Sequence, residues 1–414
     1  MRTQRAIPVT VAQDDDLVET VARYMRARNL ASGYCFNGGE KPLSRGELQE
    51  VAYREIRDAG VSAQMTCSIC RSVAAAYVVR EQRIRKREKE RARAVRVGVV
   101  EKKLPRLLER RVIAFDRPTA LFLIGPRSRD AAFRSDGILS ISTVAGRRKL
   151  TYAVPRVFQD RFKDAVSLDS LTLRIIDGKL RGNLALTLEV PEPVGRNPVG
   201  VDLNETNLIV AVDCEGREFF HDGIPMKAKN KRKRQVRKRL QRKLATLKAQ
   251  ETDTHSVRRL LKRLGEQERN RITNECRVAA KRLVLWAGGG SILVLEKLRI
   301  EPVSKWDYNR KKETRRRLNS GFPYLQLRQA IESRCCLLGI PVEFVNPAYT
   351  SQKCSMCGEI GIRNGHKFEC LACGHVDHAD TNAARNLQNM SSFGATGCPS
   401  ISPEARSCGQ AVAL

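Results

Sequence analysis

Residues 354–373 read CSMCGEIGIRNGHKFECLAC, which places Cys354, Cys357, Cys370 and Cys373 as C-x2-C-x12-C-x2-C. Two thiolates on one tight turn can take two corners of a tetrahedron, and a second such turn supplies the other two. Gly358 and Gly374 each follow a pair and allow the tight backbone. The pattern predicts a zinc ribbon, a few short strands folded around a structural ion. Four thiolates leave no open position for water, so the ion is expected to have no catalytic part. A second C-x2-C, at Cys67 and Cys70, has no partner pair and lies in a helical pattern, where buried structural cysteines are expected. His366, His375 and His378, in or near the ribbon, are expected as loop residues rather than as further ligands.

Charge supplies the next constraint. The 414 residues hold 76 Lys and Arg against 45 Asp and Glu, a formal net charge of +31. Such an excess calls for a polyanion, since each cation set on a phosphate releases a counterion. An anionic membrane surface is the rival partner, but no run approaches the roughly 18 apolar residues of a membrane span. No segment near Met1 reads as a secretion signal, and 13 cysteines are an odd number. Both point to a reducing, cytoplasmic setting, in which close cysteine pairs suggest metal before disulfide.

The pattern along the chain switches several times. RAIPVTV followed by DDD suits a strand leading to a helix cap, and residues 17–96 have helical spacing, with Leu48, Val51, Ala52 and Ile56 on one expected apolar face. Residues 80–96 carry nine cations against three acids. Strands are expected in RVIAF, ALFLI, GILSISTV and LTLRIIDGKLRGNLALTLEV, the last a hairpin turning at Asp177-Gly178. A strand, then helices, then strands suggests a β-barrel or sheet with a helical insertion. PEPVGRNP, residues 191–198, reads as a linker. Beyond it come short strands, a basic helical stretch over 227–285, a buried strand in GGGSILVLEKL, a basic loop around NRKKETRRR, a helix over 324–338 and a strand in PVEFV. Residues 227–243 hold eleven Lys or Arg and no acid, too repulsive for an idle surface, which points to phosphate contact through Lys231, Arg234, Lys238 and Arg242 and, on the earlier helix, Arg83 and Arg87.

Three carboxylates come next, two at the ends of apolar strands and one at a helix start. Asp202 sits in VGVDL, Glu296 ends ILVLE, and Asp380 opens DTNAARNL before a helix. Singly, the first two read as strand-end residues and the third as an N-cap. Together they are the donor set of a divalent-metal site, because hard cations take carboxylate oxygens and two Mg2+ ions can clamp both oxygens of a phosphodiester displacement.

GVDLNETNLIVAVD, ILVLEKL and CSMC…CLACGHVDHADTNAARN, in this order, resemble the three RuvC motifs of the TnpB (OrfB) family, transposon-encoded proteins related to type V CRISPR effectors. AYTSQKCSMCG and the tail GATGCPSISPEARSCG are similar too, so the match runs over residues 199–408; across the first half it rests on the order of elements alone. The segment RNRITNECRVAAKRLVLWA lacks the His-Lys pair common in that family's helix before its second motif.

The resemblance implies an α+β multidomain chain: an RNase H-like RuvC nuclease with an inserted zinc ribbon, preceded by a wedge β-barrel interrupted by a helical recognition domain. Its expected boundaries are a first wedge strand at 1–15, helices at 16–110, the barrel at 111–195, RuvC at 196–350 with its basic helical segment 227–285, the ribbon at 351–376, the rest of RuvC at 377–390 and a tail at 391–414. It also implies Asp202, Glu296 and Asp380 as the catalytic triad holding two Mg2+ ions. The partners are a transposon-derived guide RNA and complementary double-stranded DNA, cut beside a short flanking motif. Such a protein would work near the nucleoid of a bacterial or archaeal cell, as a monomer or as a dimer on each RNA. The rivals are a compact type V CRISPR effector and an RNA-guided repressor that binds without cutting.

Overall fold

The alternating apolar residues of RTQRAIPVTV form β1 (Arg2–Val11) in the computed structural model, which describes residues 1–39, 41–96, 98, 104, 106–125, 130–297, 322–346 and 348–392. Ile7, Val9 and Val11 are buried on one face of this strand. Asp14 caps the next element, α1 (Asp15–Phe36), by accepting the Leu17 amide at 2.8 Å. A reciprocal Ser44–Glu47 capping box opens α2 (Arg45–Asp58), and α3 runs from Ala63 to Arg96. Leu17, Val21 and Tyr24 of α1, Leu48, Ala52 and Ile56 of α2, and Met65, Ile69 and Val73 of α3 form the buried stripes of these helices. Val51 is 58% exposed and leaves that expected face, because it lies a third of a turn off the Leu48–Ala52 line.

The helices lie in sequence between β1 and the remaining strands of its sheet. These are β2 (Thr119–Leu123), β3 (Ala131–Phe133), β4 (Ile138–Thr143), β5 (Gly146–Ala153) and, after the single turn α4 (Gln159–Lys163), β6 (Ala165–Ile176) and β7 (Lys179–Glu189). Their order is β2-β6-β7-β1-β5-β4-β3, and a bridge between Ile124 and Ala131 links the two outer strands, so the sheet is nearly closed. Asp177 and Gly178 both take positive φ, 50° and 73°, as the β6–β7 hairpin turn requires. RVIAF does not form a strand. Its backbone is paired by helix side chains instead: Asn29 donates to the Phe115 carbonyl and accepts its amide, Ser32 donates to the Ile113 carbonyl, and Tyr77 accepts the Ile113 amide.

The chain divides into two compact units, Met1–Glu189 and the part from Val190 onward. In the second, a five-stranded sheet has the order β10-β9-β8-β11-β12, built from β8 (Gly195–Asp202), β9 (Asn207–Val212), β10 (Glu218–Asp222), β11 (Gly290–Glu296) and β12 (Val342–Val345). β8, β11 and β12 run parallel, and β9 and β10 antiparallel. Pro198, read as linker, lies inside β8. It is tolerated because β9 pairs only with Gly200–Asp202, which leaves β8 paired on one side at that level.

Basic helix α5 (Ile224–Ala249) buries only Met226 and Asn230, and a turn then leads to α6 (His255–Ala287). Cys276, Ala279, Leu283 and Val284 of α6, with Leu327, Ile331 and Cys335 of α7 (Tyr324–Leu338), pack on Val199, Val201, Leu293 and Leu295. The opposite face of the sheet, with Val294, carries Leu387 of α8 (Ala379–Asn389). Strands covered on both faces read as the continuous apolar runs of VGVDL and ILVLE. A three-stranded sheet of β13 (Ile362–Asn364), β14 (Lys367–Glu369) and β15 (Val376–His378) completes the unit, with Phe368 buried at its centre. The expected loop NRKKETRRR and the C-terminal tail lie outside the described residues. No helix among the described residues is long and apolar enough to cross a membrane.

Candidate metal centre

Strand parity brings the three acids to one place. Val201 and Leu295 are paired neighbours on parallel β8 and β11 and face α6 and α7. The next residues, Asp202 and Glu296, therefore turn to the face that carries α8, each at the C-terminal end of its strand. That end is where open α/β sheets place ligands. Asp380 enters from the first turn of α8 and is 1% exposed.

Asp380 does not cap its helix. His378 does, its Nδ1 accepting the Asp380 amide at 3.3 Å. The Asp380 carboxylate is thereby free of the backbone and accepts from Asn207 Nδ2 at 3.1 Å and from the Arg363 guanidinium at 2.7 Å. Asn204 Nδ2 donates to Asp202 at 2.9 Å, and Thr350 Oγ1 donates to Glu296 at 2.7 Å. Each acid thus has a neutral polar side chain fixing its orientation. Burial pushes the Asp202 carboxyl up to about 7, and the charges of Glu296 and Asp380 add to the rise against the Asn204 hydrogen bond. Carboxylates crowded so that one resists ionising form a donor set that a hard dication relieves, and the residues fit Mg2+.

The folded pKa of Asp202 lies above its ordinary 3.8, so the folded state holds the extra proton. Stability of the metal-free protein should fall as pH rises from about 4 to about 7. Asp202→Asn should remove that component and be more stable than the parent at pH 8, by about 2–4 kcal/mol. Urea denaturation in chelator at pH 5 and pH 8 measures it; an equal offset at both pH values would contradict it.

Helix α8 reaches its place through a glycine. A Cβ on Gly200 would strike the Ala384 carbonyl oxygen and come within 2.6 Å of the Gln388 amide nitrogen. Gly200→Val should lift α8 off β8, costing about 1–3 kcal/mol or more, and Mg2+ should no longer raise its melting temperature. A variant that keeps both parent values would refute this packing.

The cysteines close as the spacing predicts. Cys354 Sγ lies 3.7 Å from Cys373 Sγ, and Cys357 Sγ 3.5 Å from Cys370 Sγ. A tetrahedron with ~2.3 Å Zn–S bonds has edges near ~3.8 Å, so the four thiols fit zinc. Amides of Cys373 and Ala372 hold the Cys370 thiol down to about 7. Asn382 ties this knuckle to α8, donating to the Lys353 carbonyl at 2.7 Å and accepting the Ser355 amide at 2.9 Å. Asn386 donates to the Thr350 and Lys353 carbonyls at 2.8 and 2.7 Å. The cysteine knuckle and the helix bearing Asp380 are therefore one hydrogen-bonded body.

The basic residues occupy exposed faces. Arg83 and Arg87 lie one turn apart on α3, Arg87 beside Glu90 at 3.1 Å. Lys231, Arg234, Lys238 and Arg242 form a stripe along α5. Cys67 and Cys70 lie in α3, half-buried and buried, outside any cluster of metal-binding side chains among the described residues.

A family model, Cas12f1-like TNB domain, matches residues 324–387, from α7 through the four cysteines to α8, and so includes Asp380 but neither Asp202 nor Glu296. The CRISPR-associated endodeoxyribonuclease Cas12f1 of Sulfoacidibacillus thermotolerans is 45% identical over 74 residues, 17% of this chain and 18% of that protein. A TnpB-like protein of Aquifex aeolicus is 38% identical over 107 residues, 24% of this chain. The matched stretches span 18% and 32% of these two relatives. Among solved structures, CasPhi-2 (Cas12j) bound to crRNA superposes with a TM-score of 0.48 at 14% identity, covering 93% of this chain and 97% of that one. The chain is thus similar over residues 324–387 to the Cas12f1-like TNB domain and, over short stretches, to a Cas12f1 endodeoxyribonuclease and a TnpB-like protein.

Proposed function

We propose that the protein is an RNA-guided DNA endonuclease of the RuvC type, which cuts double-stranded DNA pairing with a bound guide RNA beside a short flanking motif. The observation that carries this reading is the convergence of Asp202, Glu296 and Asp380 on one face of a mixed sheet, next to a four-cysteine knuckle. The relatives, a Cas12f1 endodeoxyribonuclease and a TnpB-like protein, support it.

Asp202, Glu296 and Asp380 would hold two Mg2+ ions, which would supply charge neutralisation and water activation for phosphodiester hydrolysis. The chain's own part is positioning. Asn204, Thr350 and Asn207 set the angle of each carboxylate, and Arg363 balances Asp380 while the site is free. Stripes on α3 and α5 would follow phosphate backbones of guide and heteroduplex, leaving sequence to base pairing. The nearly closed sheet of the first unit, split in sequence by α1–α3, serves in this reading as the wedge and recognition part, and the four thiols as a structural zinc ribbon.

The test is to express the chain with its flanking DNA, sequence the RNA that co-purifies, and challenge the complex with guide-matched plasmids of randomised flank in Mg2+. Discrete RNA and flank-dependent cutting are expected. Tight RNA binding without cutting would replace the reading with an RNA-guided repressor. A CRISPR array beside the gene, with the RNA transcribed from it, would replace the transposon source of the guide.

A further inference from the structure

Among the described residues, two clusters bring the ligand atoms of three or more metal-binding side chains within 4.8 Å of one another. One is the cysteine knuckle; the other is His366, His378 and Asp380. The second joins a carboxylate of the nuclease site to two imidazoles expected from sequence only as loop residues.

The geometry around the imidazoles is specific. Their rings stack at 5.4 Å between centroids with 18° between planes. His378 ends β15, and Phe220 stands edge-on to its ring at 5.5 Å. The His366 carbonyl accepts the Ala379 amide at 2.7 Å, which fixes the backbone of His366 against the start of α8. His378 Nδ1 accepts the Asp380 amide, so its neutral ring carries the proton on Nε2, and ligation through Nε2 requires that proton to move to Nδ1 with loss of the cap bond; neither ring nitrogen of His366 has a hydrogen-bond partner among the described residues. Asp380 accepts from Arg363 and Asn207, one bond to each oxygen, and a carboxylate offers about four lone-pair sites in all.

Ligand chemistry decides what such a trio takes. Carboxylates and water suit Mg2+, whereas imidazole suits Fe2+, Ni2+ and Zn2+, and two imidazoles with one carboxylate form a set those ions favour. We propose that His366, His378 and Asp380 form a binding site for one borderline divalent transition ion. The ion draws Asp380 away from the three-acid site and so competes with Mg2+ for the nuclease. Its entry displaces the Arg363 guanidinium from Asp380. The inhibitory half rests on the nuclease reading above; the binding half does not.

The experiment uses the full chain, isolated with zinc in its ribbon and with zinc content measured before and after. Ni2+ is titrated calorimetrically into the parent, His366→Gln, His378→Asn and, as control, His255→Gln. Asparagine keeps a side-chain acceptor at the helix cap, and His366 is exposed, so both variants keep the fold. One Ni2+ site is expected in the parent and control, weakened at least about tenfold in each of the other two, the low end of what losing even an outer-shell partner costs. Equal affinity in all four proteins overturns the site. In a second arm, cutting in millimolar Mg2+ should fall with micromolar Ni2+ in the parent and need at least about tenfold more Ni2+ in His366→Gln, following the affinities. Histidine-dependent binding with undiminished cutting would overturn the sharing of Asp380. A parent that never cuts in Mg2+ would refute the nuclease reading, while the calorimetric arm would still decide the site.

Discussion

Asp202→Ala is expected to reduce cutting at least about a thousandfold, some 4 kcal/mol of barrier, while leaving RNA binding intact. The asymmetry comes from position. Asp202 lies at the end of β8, facing Glu296 and Asp380, whereas the basic stripes are exposed residues of α3 and α5 that include none of the three acids. Alanine also removes a carboxyl that burial, with the charges of Glu296 and Asp380, pushes up to about 7, so the fold should not suffer. Single-turnover cleavage by the parent and variant ribonucleoproteins, at matched occupancy by filter binding, measures both halves. Cutting within about tenfold of the parent would remove Asp202 from the site, since losing a metal ligand should exceed losing one hydrogen-bond donor.

Cys370→Ser should act on stability first and on chemistry second. Structural zinc contributes about 10–16 kcal/mol in small zinc modules, and a hydroxyl does not replace a thiolate. Zinc content should fall from one ion per chain to less than half, and the melting transition of the C-terminal unit should drop. Because Asn382 and Asn386 bond the knuckle to α8, the loss should reach Asp380 and slow cutting at least about tenfold. Cys67→Ser should change none of these. Full zinc content in the Cys370 variant would end the four-thiolate assignment.

The parts of this molecule governed by short-range rules were legible beforehand. Tyr324–Leu338 has helical spacing and the chain folds it so; Asp177-Gly178 is a left-handed pair and it turns; C-x2-C twice over closes on itself. The acids were legible because a charge inside VGVDL or ILVLE breaks an apolar run. What escaped depends on distant partners. RVIAF looks like a strand, yet side chains of α1 and α3 take its backbone groups. GRRKLTYA was not among the expected strands, yet it is β5, paired between β1 and β4. Arg363, Asn207 and Thr350 carry no local mark of a site; each is known only by the carboxylate it meets. Asn204, two residues after Asp202, was the one orienting group that proximity could have exposed.

The spread of the three acids along the chain also bears on how the protein is made. Asn207 and Asp380 meet across 173 residues, and Glu296 lies between them in sequence. A ribosome adding about 5–20 residues each second releases the first acid many seconds before the third. In the proposed nuclease reading, the basic helices α3 and α5 emerge before α8 and could gather RNA while the cutting site still lacks Asp380. Any product that stops short of α8 would therefore be a nucleic-acid binder without a blade. In that reading, the order of the chain delays cutting until the last acid has been made.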